Sequence, residues 1–299
     1  MISGLVRSEF LKLRTTALWW VFGVSILACL AIALLTTVTT ASYSIDGALQ
    51  PPPFEGPFPP GTEADPAGLD EARRQFDEQF NLDLVLVRAA ASIYTSGQFL
   101  GLLLVVLLGT LIVTNEFHHS TATATFLTTP RRTPVVSAKL IMAVGMGVAV
   151  WLVTTVINLV VGLIFFSSLD QPAGLDRLPV WQTILLSLLA FVVWAVFGVG
   201  FGVLVRSQLG ATVIALLVYL ISLPLAYAVF GMVRQYLIQS DWVWTAMVIV
   251  PGVASQVTTS LEPPFQFAPE PWVGALVLIG YGLLAGVIGT AAIRKADIT

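Results

Sequence analysis

The chain has little charge, one cysteine and two histidines, and each scarcity removes a class of function. Asp, Glu, Lys and Arg make up 10% of its 299 residues, whereas a soluble globular domain carries about 25%. The ordinary solvated surface of such a domain is excluded. The single cysteine, Cys29, sits inside a long apolar run, so there is no intrachain disulfide and the thiol reads as a small packing group. His118 and His119 are neighbours, and adjacent side chains on a helix point about 100° apart. With no cysteine nearby and no further histidine, they offer no ligand set for a metal. None of the three lysines, Lys12, Lys139 and Lys295, follows a glycine, so no GxxxxGK[ST] phosphate-binding loop exists. The sequence therefore offers no enzymatic nucleotide site and no cofactor site.

What the chain has instead is apolar length. It is 57% hydrophobic with a mean hydropathy of +0.89. Six runs, residues 17–40, 94–114, 140–166, 180–205, 209–233 and 272–293, are each long enough to cross a hydrocarbon core of about 30 Å at about 1.5 Å per residue. Only helices and closed barrels span a bilayer, and runs of this length predict an all-α integral membrane protein with six transmembrane helices. Six crossings put both termini on one side. The first span is too long for a signal peptide and lacks a clear small-residue cleavage site, so it reads as retained.

Basic residues flank membrane spans on the cytoplasmic side. With the termini inside, the inner segments hold Arg7, Lys12, Arg14, Arg131, Arg132, Lys139, Arg206, Arg294 and Lys295, opposed only by Glu9, Glu116 and Asp297. The outer segments hold Arg73, Arg74, Arg88, Arg177 and Arg234 and the remaining fourteen acids. The net charge of −3 thus hides a positive inner face and a negative outer one, and says nothing of nucleic acid. The expected location is the plasma (inner) membrane, with both termini cytoplasmic.

Residues 1–16 predict an amphipathic helix lying in the inner headgroup layer, with Ile2, Leu5, Val6, Phe10 and Leu13 on one face. Glu9 falls on that apolar side, three residues before Lys12, where an unpaired carboxylate is costly. Either it pairs locally with Lys12, or it contacts a cytoplasmic partner or the inner loop. The outer loop, 41–93, opens with the proline-rich Pro51–Pro60, which predicts extended chain. From Gly68 on, Leu69, Phe76, Phe80, Leu84 and Val87 make one apolar helical stripe. Arg88 lies where that helix meets the second span and reads as a snorkelling anchor or as an outer gate contact. Gly97/Gly101, Gly198/Gly202 and Gly282/Gly286 repeat the GxxxG spacing, for which packing within the chain is the simpler reading than a dimer interface.

The inner segment 115–139, NEFHHSTATATFLTTPRRTPVVSAK, is the polar interruption with the strongest excess of positive charge. Pro130 and Pro134 limit any helix in it to short pieces lying across the inner face. Between the fourth and fifth spans only Arg206, Ser207 and Gln208 intervene, a tight inner turn. Residues 241–262 are apolar but broken by Pro251-Gly252, which predicts a re-entrant outer hairpin of two short helices, with Trp242, Trp244 and Trp272 at interfacial depth. A cytoplasmic tail, 294–299, ends the chain.

No Asp, Glu, Lys, Arg or His falls within the six spans so delimited, whereas ion-coupled transporters bind their ion with such groups. The intramembrane polar set is Gln98, Asn158, Gln182 and scattered hydroxyls, suited to packing or to an amphipathic solute, and Gln98, Asn158 and Arg88 are the candidate pathway or outer-gate residues.

Asn115-Glu116-Phe117 closing a span, Thr121 and Thr123, then Pro130-Arg131-Arg132 and Lys139 opening the next, resemble the inner loop of ABC-2 type exporter permeases. Ser8-Glu9-Phe10-Leu11-Lys12 followed by Trp19-Trp20 is similar to that family's amphipathic helix and first span. The pattern departs from many relatives at His118 and Ser120. The resemblance covers nearly the whole chain. It implies a permease subunit that pairs with a second copy or a related permease and docks a separate ATP-binding subunit, where ATP and Mg would reside. It also implies that 115–139 acts as the coupling segment, with Glu9, Glu116, Arg131 and Arg132 as contacts to the ATPase, and that the exported substrate is hydrophobic or amphipathic, such as a lipid, peptide or drug-like compound. The alternatives are a stand-alone channel or facilitator and a non-transporting immunity or sensor component.

Overall fold

The computed structural model describes residues 2–54, 66–118, 132–205 and 207–295. Everything regular among them is helical. Helix α1 (Ile2–Thr15) carries Lys12 and Arg14 in its last turn, where cations complement the helix dipole. After a two-residue break α2 (Leu18–Leu49) runs until Pro51-Pro52-Pro53, which supply no backbone N–H and force the preceding chain to extend. Helix α2 thus continues past residue 40 because Ala41, Ile45 and Ala48 find buried partners.

The expected single stripe from Leu69 to Val87 is two helices, α3 (Pro66–Gln79) and α4 (Leu82–Tyr94). Asn81 separates them: its side chain accepts from the backbone N–H groups of Asp83 (3.0 Å) and Leu84 (3.3 Å), capping α4 afresh. Helix α3 buries none of its residues, whereas α4 buries seven, Val85 to Tyr94, against α2 and the bundle. Helix α5 (Gln98–His118) follows after a turn at 95–97, where Gly97 has φ 74°, a left-handed conformation that glycine adopts without steric cost.

The chain continues with α6 (Arg132–Ser168), α7 (Leu178–Val205) and α8 (Gln208–Tyr236). Short helices α9 (Trp242–Ala246) and α10 (Pro251–Thr259) flank a 3-10 turn at Met247–Ile249, and α11 (Pro271–Lys295) closes the order. Among the described residues six segments are long and apolar enough to cross a membrane: Leu18–Leu49, Leu82–Asn115, Pro134–Ser168, Leu178–Val205, Gln208–Tyr236 and Pro271–Ile288. The protein is a multi-pass, all-α membrane protein. Its second crossing segment is the pair α4–α5 with the turn between them.

Helices α5 and α7 form the centre, with 56% of each apolar window buried against 17–22% for the other four. Their contact is close because glycines face backbone on both sides. A Cβ on Gly198 would lie 2.1 Å from Val106 O, one on Gly109 2.3 Å from Ala195 O, and one on Gly202 2.8 Å from Thr110 O. The Gly198/Gly202 spacing therefore packs α7 on α5 inside the chain. Gly97 serves the turn, and Gly282 and Gly286 of α11 lie at ordinary van der Waals distance from the Val193 and Leu140 side chains, 3.7 and 3.9 Å from an added Cβ, rather than against backbone. Around this centre lie three clusters: Val106, Phe191, Trp194 and Tyr219 in the middle, Ile45, Ile93, Tyr94 and Phe166 toward the α4 end, and Met247, Val253, Ala254 and Leu278 under α10.

Candidate functional site

The bundle has two chemically distinct ends. At the end that holds α1, the most buried residue of the amphipathic helix is its carboxylate. Glu9 is 8% exposed, while Phe10 and Leu11 are about half exposed. Lys12 Nζ donates to Glu9 Oε1 at 2.8 Å, and Lys139 Nζ, from α6, donates to Glu9 Oε2 at 2.9 Å. Lys139 is 3% exposed and also reaches Ile112 O of α5 at 3.4 Å. Glu9 thus pairs locally, as one of its two readings has it, and also bonds to Lys139, the last residue of the inner segment. Transfer of a lone carboxylate or ammonium into an apolar setting is costly, and pairing with further hydrogen bonds is what makes it tolerable. The consequence is mechanical: one carboxylate ties α1 to α6, and its lysine partner ties both to α5.

The same end is knitted further by Gln208 Nε2, which donates to Asn115 Oδ1 at 3.2 Å and so joins the start of α8 to the last turns of α5. Ser207 caps α8 by accepting from Gly210 N. Glu116 occupies the last turn of α5 and Arg132 opens α6. Arg131, Arg206, residues 119–130 of the inner segment, Glu55 to Pro60 of the proline-rich stretch and the tail from Ala296 lie outside the described residues. Helices α1, α5, α6 and α8 thus converge on the two ends of the inner segment.

At the opposite end the turn at 95–97 leaves backbone carbonyls without helical partners, and Asn158 of α6 supplies them. Its Nδ2 donates to Tyr94 O (3.2 Å) and Ser96 O (3.0 Å) while its Oδ1 has no partner among the described residues. The Ser96 and Thr37 hydroxyls share a hydrogen bond of 3.1 Å, and Tyr94 OH donates to Ala173 O at 2.7 Å. Asn158 is 2% exposed; the structure assigns its amide to the turn and not to an open passage.

Gln98, by contrast, lines a cavity of about 310 Å³ together with Phe99, Trp194, Tyr219, Ser255 and Gln256. Tyr219 OH donates to Phe99 O (2.7 Å) and Trp194 Nε1 to Ser255 Oγ (3.3 Å), so two aromatic residues of the lining, edge to face with each other at 4.8 Å, have their polar ends satisfied by protein groups. Among the described residues no charged side chain lines this cavity. Helix α10 forms one wall, wedged so closely that a Cβ on Gly252 would stand 2.5 Å from Ser222 Oγ. Trp242 and Trp272 are exposed, and Trp244 packs near Tyr227.

Arg88 is held away from that cavity. It pairs with Glu262, from the connection between α10 and α11, and lines a separate groove between α2 and α4. Asp83, one turn earlier on α4, pairs with Arg177 of the α6–α7 connection. Helix α4 is thereby clamped from two sides at this end. The sequence reading missed Lys139 as a partner of Glu9, and Tyr219, Ser255 and Gln256 as neighbours of Gln98. The first had a signal: an acid on an apolar helix face and a lysine opening an apolar span each need a counter-charge. The others carried none, because their convergence depends on the turn before α5 and on α10 folding back.

No protein-family model matches this chain, and no characterised protein matches it at significant similarity.

Proposed function

We propose that the chain is the membrane-spanning permease subunit of an ATP-driven exporter, with the α1 end facing the cytoplasm and the ATPase in a separate subunit. The observation that carries this reading is the buried Glu9–Lys139 pair, which fastens the amphipathic helix to the span leaving the inner segment. A force applied to the inner segment reaches α5 and α6 directly. Through Glu9 and Lys139 it reaches α1, and through Asn115 and Gln208 it reaches α8. Rigid-body movement of packed helices is how such a push is transmitted. At the far end the same α5 begins at the 95–97 turn and lines the uncharged cavity, a suitable passage wall for a hydrophobic or amphipathic solute. Glu116, Arg131 and Arg132 are the charged groups of the segment that would make charge-assisted contacts to the motor subunit. The excess of basic residues on this side supports a cytoplasmic α1 end, and the hairpin 241–262 then dips into the outer leaflet. Two copies, or one copy and a related permease, complete the pathway.

The test is isolation of the tagged chain from its own host in nanodiscs, with the co-purifying proteins identified and the complex weighed. Two permease chains with two ATP-binding subunits support the reading. A chain that runs alone, under conditions that preserve other membrane complexes, refutes it. In the complex, Glu116→Ala lowers transport-coupled ATP hydrolysis while membrane insertion is unchanged; undiminished hydrolysis removes the inner segment as the coupling element.

A further inference from the structure

The cavity of about 310 Å³ between α5, α7, α8 and α10 has a wall whose hydrogen bonds are not all spent. One side is aromatic: Phe99, Tyr219 and Trp194 follow one another with ring centroids 5.3 and 4.8 Å apart. The hydroxyls and the indole of the lining are occupied by protein groups. Tyr219 OH donates to Phe99 O, Trp194 Nε1 to Ser255 Oγ, Thr95 Oγ1 to Ala91 O and Thr259 Oγ1 to Ser255 O. The two amides differ. Neither the Gln98 nor the Gln256 side chain makes a hydrogen bond among the described residues, and Gln256 Oε1 is buried without one.

These amides come from distant parts of the chain. Gln98 is the first residue of α5, placed by the turn at 95–97, and Gln256 belongs to α10, which packs on α8 where Gly252 meets Ser222. A buried polar group without a partner is destabilising, so two of them on one cavity specify what should enter it. A hydrocarbon chain leaves both amides unmet. An ammonium or a carboxylate loses its hydration and finds no counter-charge among the described lining residues. Water meets the amides but wets the three rings, and an alcohol brings one donor for two glutamine carbonyls.

A carboxamide donates and accepts in one plane and is uncharged. It pairs with a glutamine amide through two hydrogen bonds while its apolar substituents lie against the rings. The last torsion of a glutamine is broad, so Gln256 turns its amide to a ligand without leaving a rotamer. A cavity of about 310 Å³ is at the lower bound of small-molecule sites and admits one compact group, not a diacyl lipid. We propose that it binds an uncharged carboxamide-bearing molecule, held by Gln98 and Gln256 and flanked by Trp194 and Tyr219. As the class of exported substrate this rests on the permease reading; as a binding site it does not.

The experiment is photolabelling of the chain in nanodiscs, alone or with whatever partners it carries, with N-acetyl-photoleucine amide, an uncharged diamide. Mass spectrometry of the digest should place the label on peptides carrying Phe99, Trp194, Tyr219 or Gln256. N-acetyl-leucinamide should compete. At about pH 6 N-acetyl-leucine, a carboxylate, and leucinamide, an ammonium, should compete at least about ten-fold less well, as should isoamyl alcohol. Gln98→Leu and Gln256→Leu should each weaken competition by N-acetyl-leucinamide about five-fold, and the order of competitors on the wild type decides the case if neither variant folds. Label spread over the lipid-facing helices, equal competition by the charged analogues or the alcohol, or wild-type competition in both leucine variants would each overturn the proposal. None of these readouts involves transport. Specific labelling of a chain that purifies without an ATP-binding subunit overturns the permease reading alone, and failed labelling of a complex with two of each overturns this proposal alone.

Discussion

Replacing Glu9 should release α1 from the bundle, and the size of the effect can be worked from the contacts. The Glu9 carboxylate and the Lys139 ammonium are 2.9 Å apart and 8% and 3% exposed. At the effective dielectric of such sites two unit charges attract by about 4 kcal/mol at 4 Å, of which desolvation offsets a large part. Removing one member is therefore a larger perturbation than removing both. Glu9→Leu removes a buried counter-charge 2.9 Å from Lys139 Nζ and should cost about 3 kcal/mol. Lys139→Met leaves the carboxylate with Lys12, whose side chain is 42% exposed and can carry it to solvent, so about 1 kcal/mol is expected. The double variant puts two apolar side chains of similar size in contact and should also lie within about 1 kcal/mol of wild type.

The coupling energy from this cycle is then about 3 kcal/mol, at the upper end for residues in contact. The readout is thiol labelling of Val6→Cys, on the partly buried face of α1, in a Cys29→Ser background. When opening and closing of a segment are fast, labelling follows the open population, and 3 kcal/mol corresponds to about a 150-fold faster reaction. Glu9→Leu should show that acceleration and the added Lys139→Met should largely reverse it. If the two effects instead add within about 0.5 kcal/mol, the pair does not hold the helix, and the mechanical route from inner segment to α1 fails with it.

Asn158→Leu removes both donors from Tyr94 O and Ser96 O and should destabilise the protein by about 2 kcal/mol, read as a lowered unfolding temperature in detergent; an unchanged temperature would mean that the turn finds other donors. Gly198→Ala drives a methyl against Val106 O and should abolish monodisperse protein on size exclusion, whereas Gly282→Ala meets nothing closer than 3.7 Å and should be silent; equal behaviour would refute the packing argument. Arg88→Gln should cost under about 1 kcal/mol because the pair is exposed, yet Arg88→Cys with Glu262→Cys in a Cys29→Ser background, bridged by a bifunctional thiol cross-linker long enough for an Arg–Glu separation, should on the proposed function block export by locking α4 to the α10–α11 connection. Export at the wild-type rate with the cross-link formed would show that this end does not move. Thr62→Cys in the Cys29→Ser background should react with an impermeant thiol reagent added from outside the cell, and labelling only from the cytoplasm would invert the proposed orientation.

The six long apolar helices were legible in the sequence because a run of apolar residues needs no partner to be recognised. A bilayer-spanning length is a property of one segment alone. Within the outer loop, the apolar stripe from Leu69 to Val87 correctly signalled helix but not its division, because a stripe of period 3.6 continues across Asn81 while the asparagine, by bonding to Asp83 N and Leu84 N, ends one helix and begins another. Propensity favours such residues at caps, and in a charged segment the cap signal competes with the periodicity and wins.

The candidate site separates along the same line. Glu9 could be flagged from its own surroundings, since a carboxylate on an apolar helix face demands a counter-charge. Which cation answers cannot be read from one segment: Lys12 lies three residues away, but Lys139 lies 130 residues away and meets Glu9 only because α1 folds back on α6. The cavity is further from the sequence still. Gln98 stood out as an amide in an apolar span, but its neighbours Tyr219, Ser255 and Gln256 belong to α8 and α10. They reach it because Asn158 satisfies the turn at Gly97, which lets α5 start inside the bundle instead of continuing α4. A buried amide whose donors are both taken by a broken backbone is thus what separates the clamped α4 end from the central α5. Movement of α5 relative to α4 has to pass through those two hydrogen bonds.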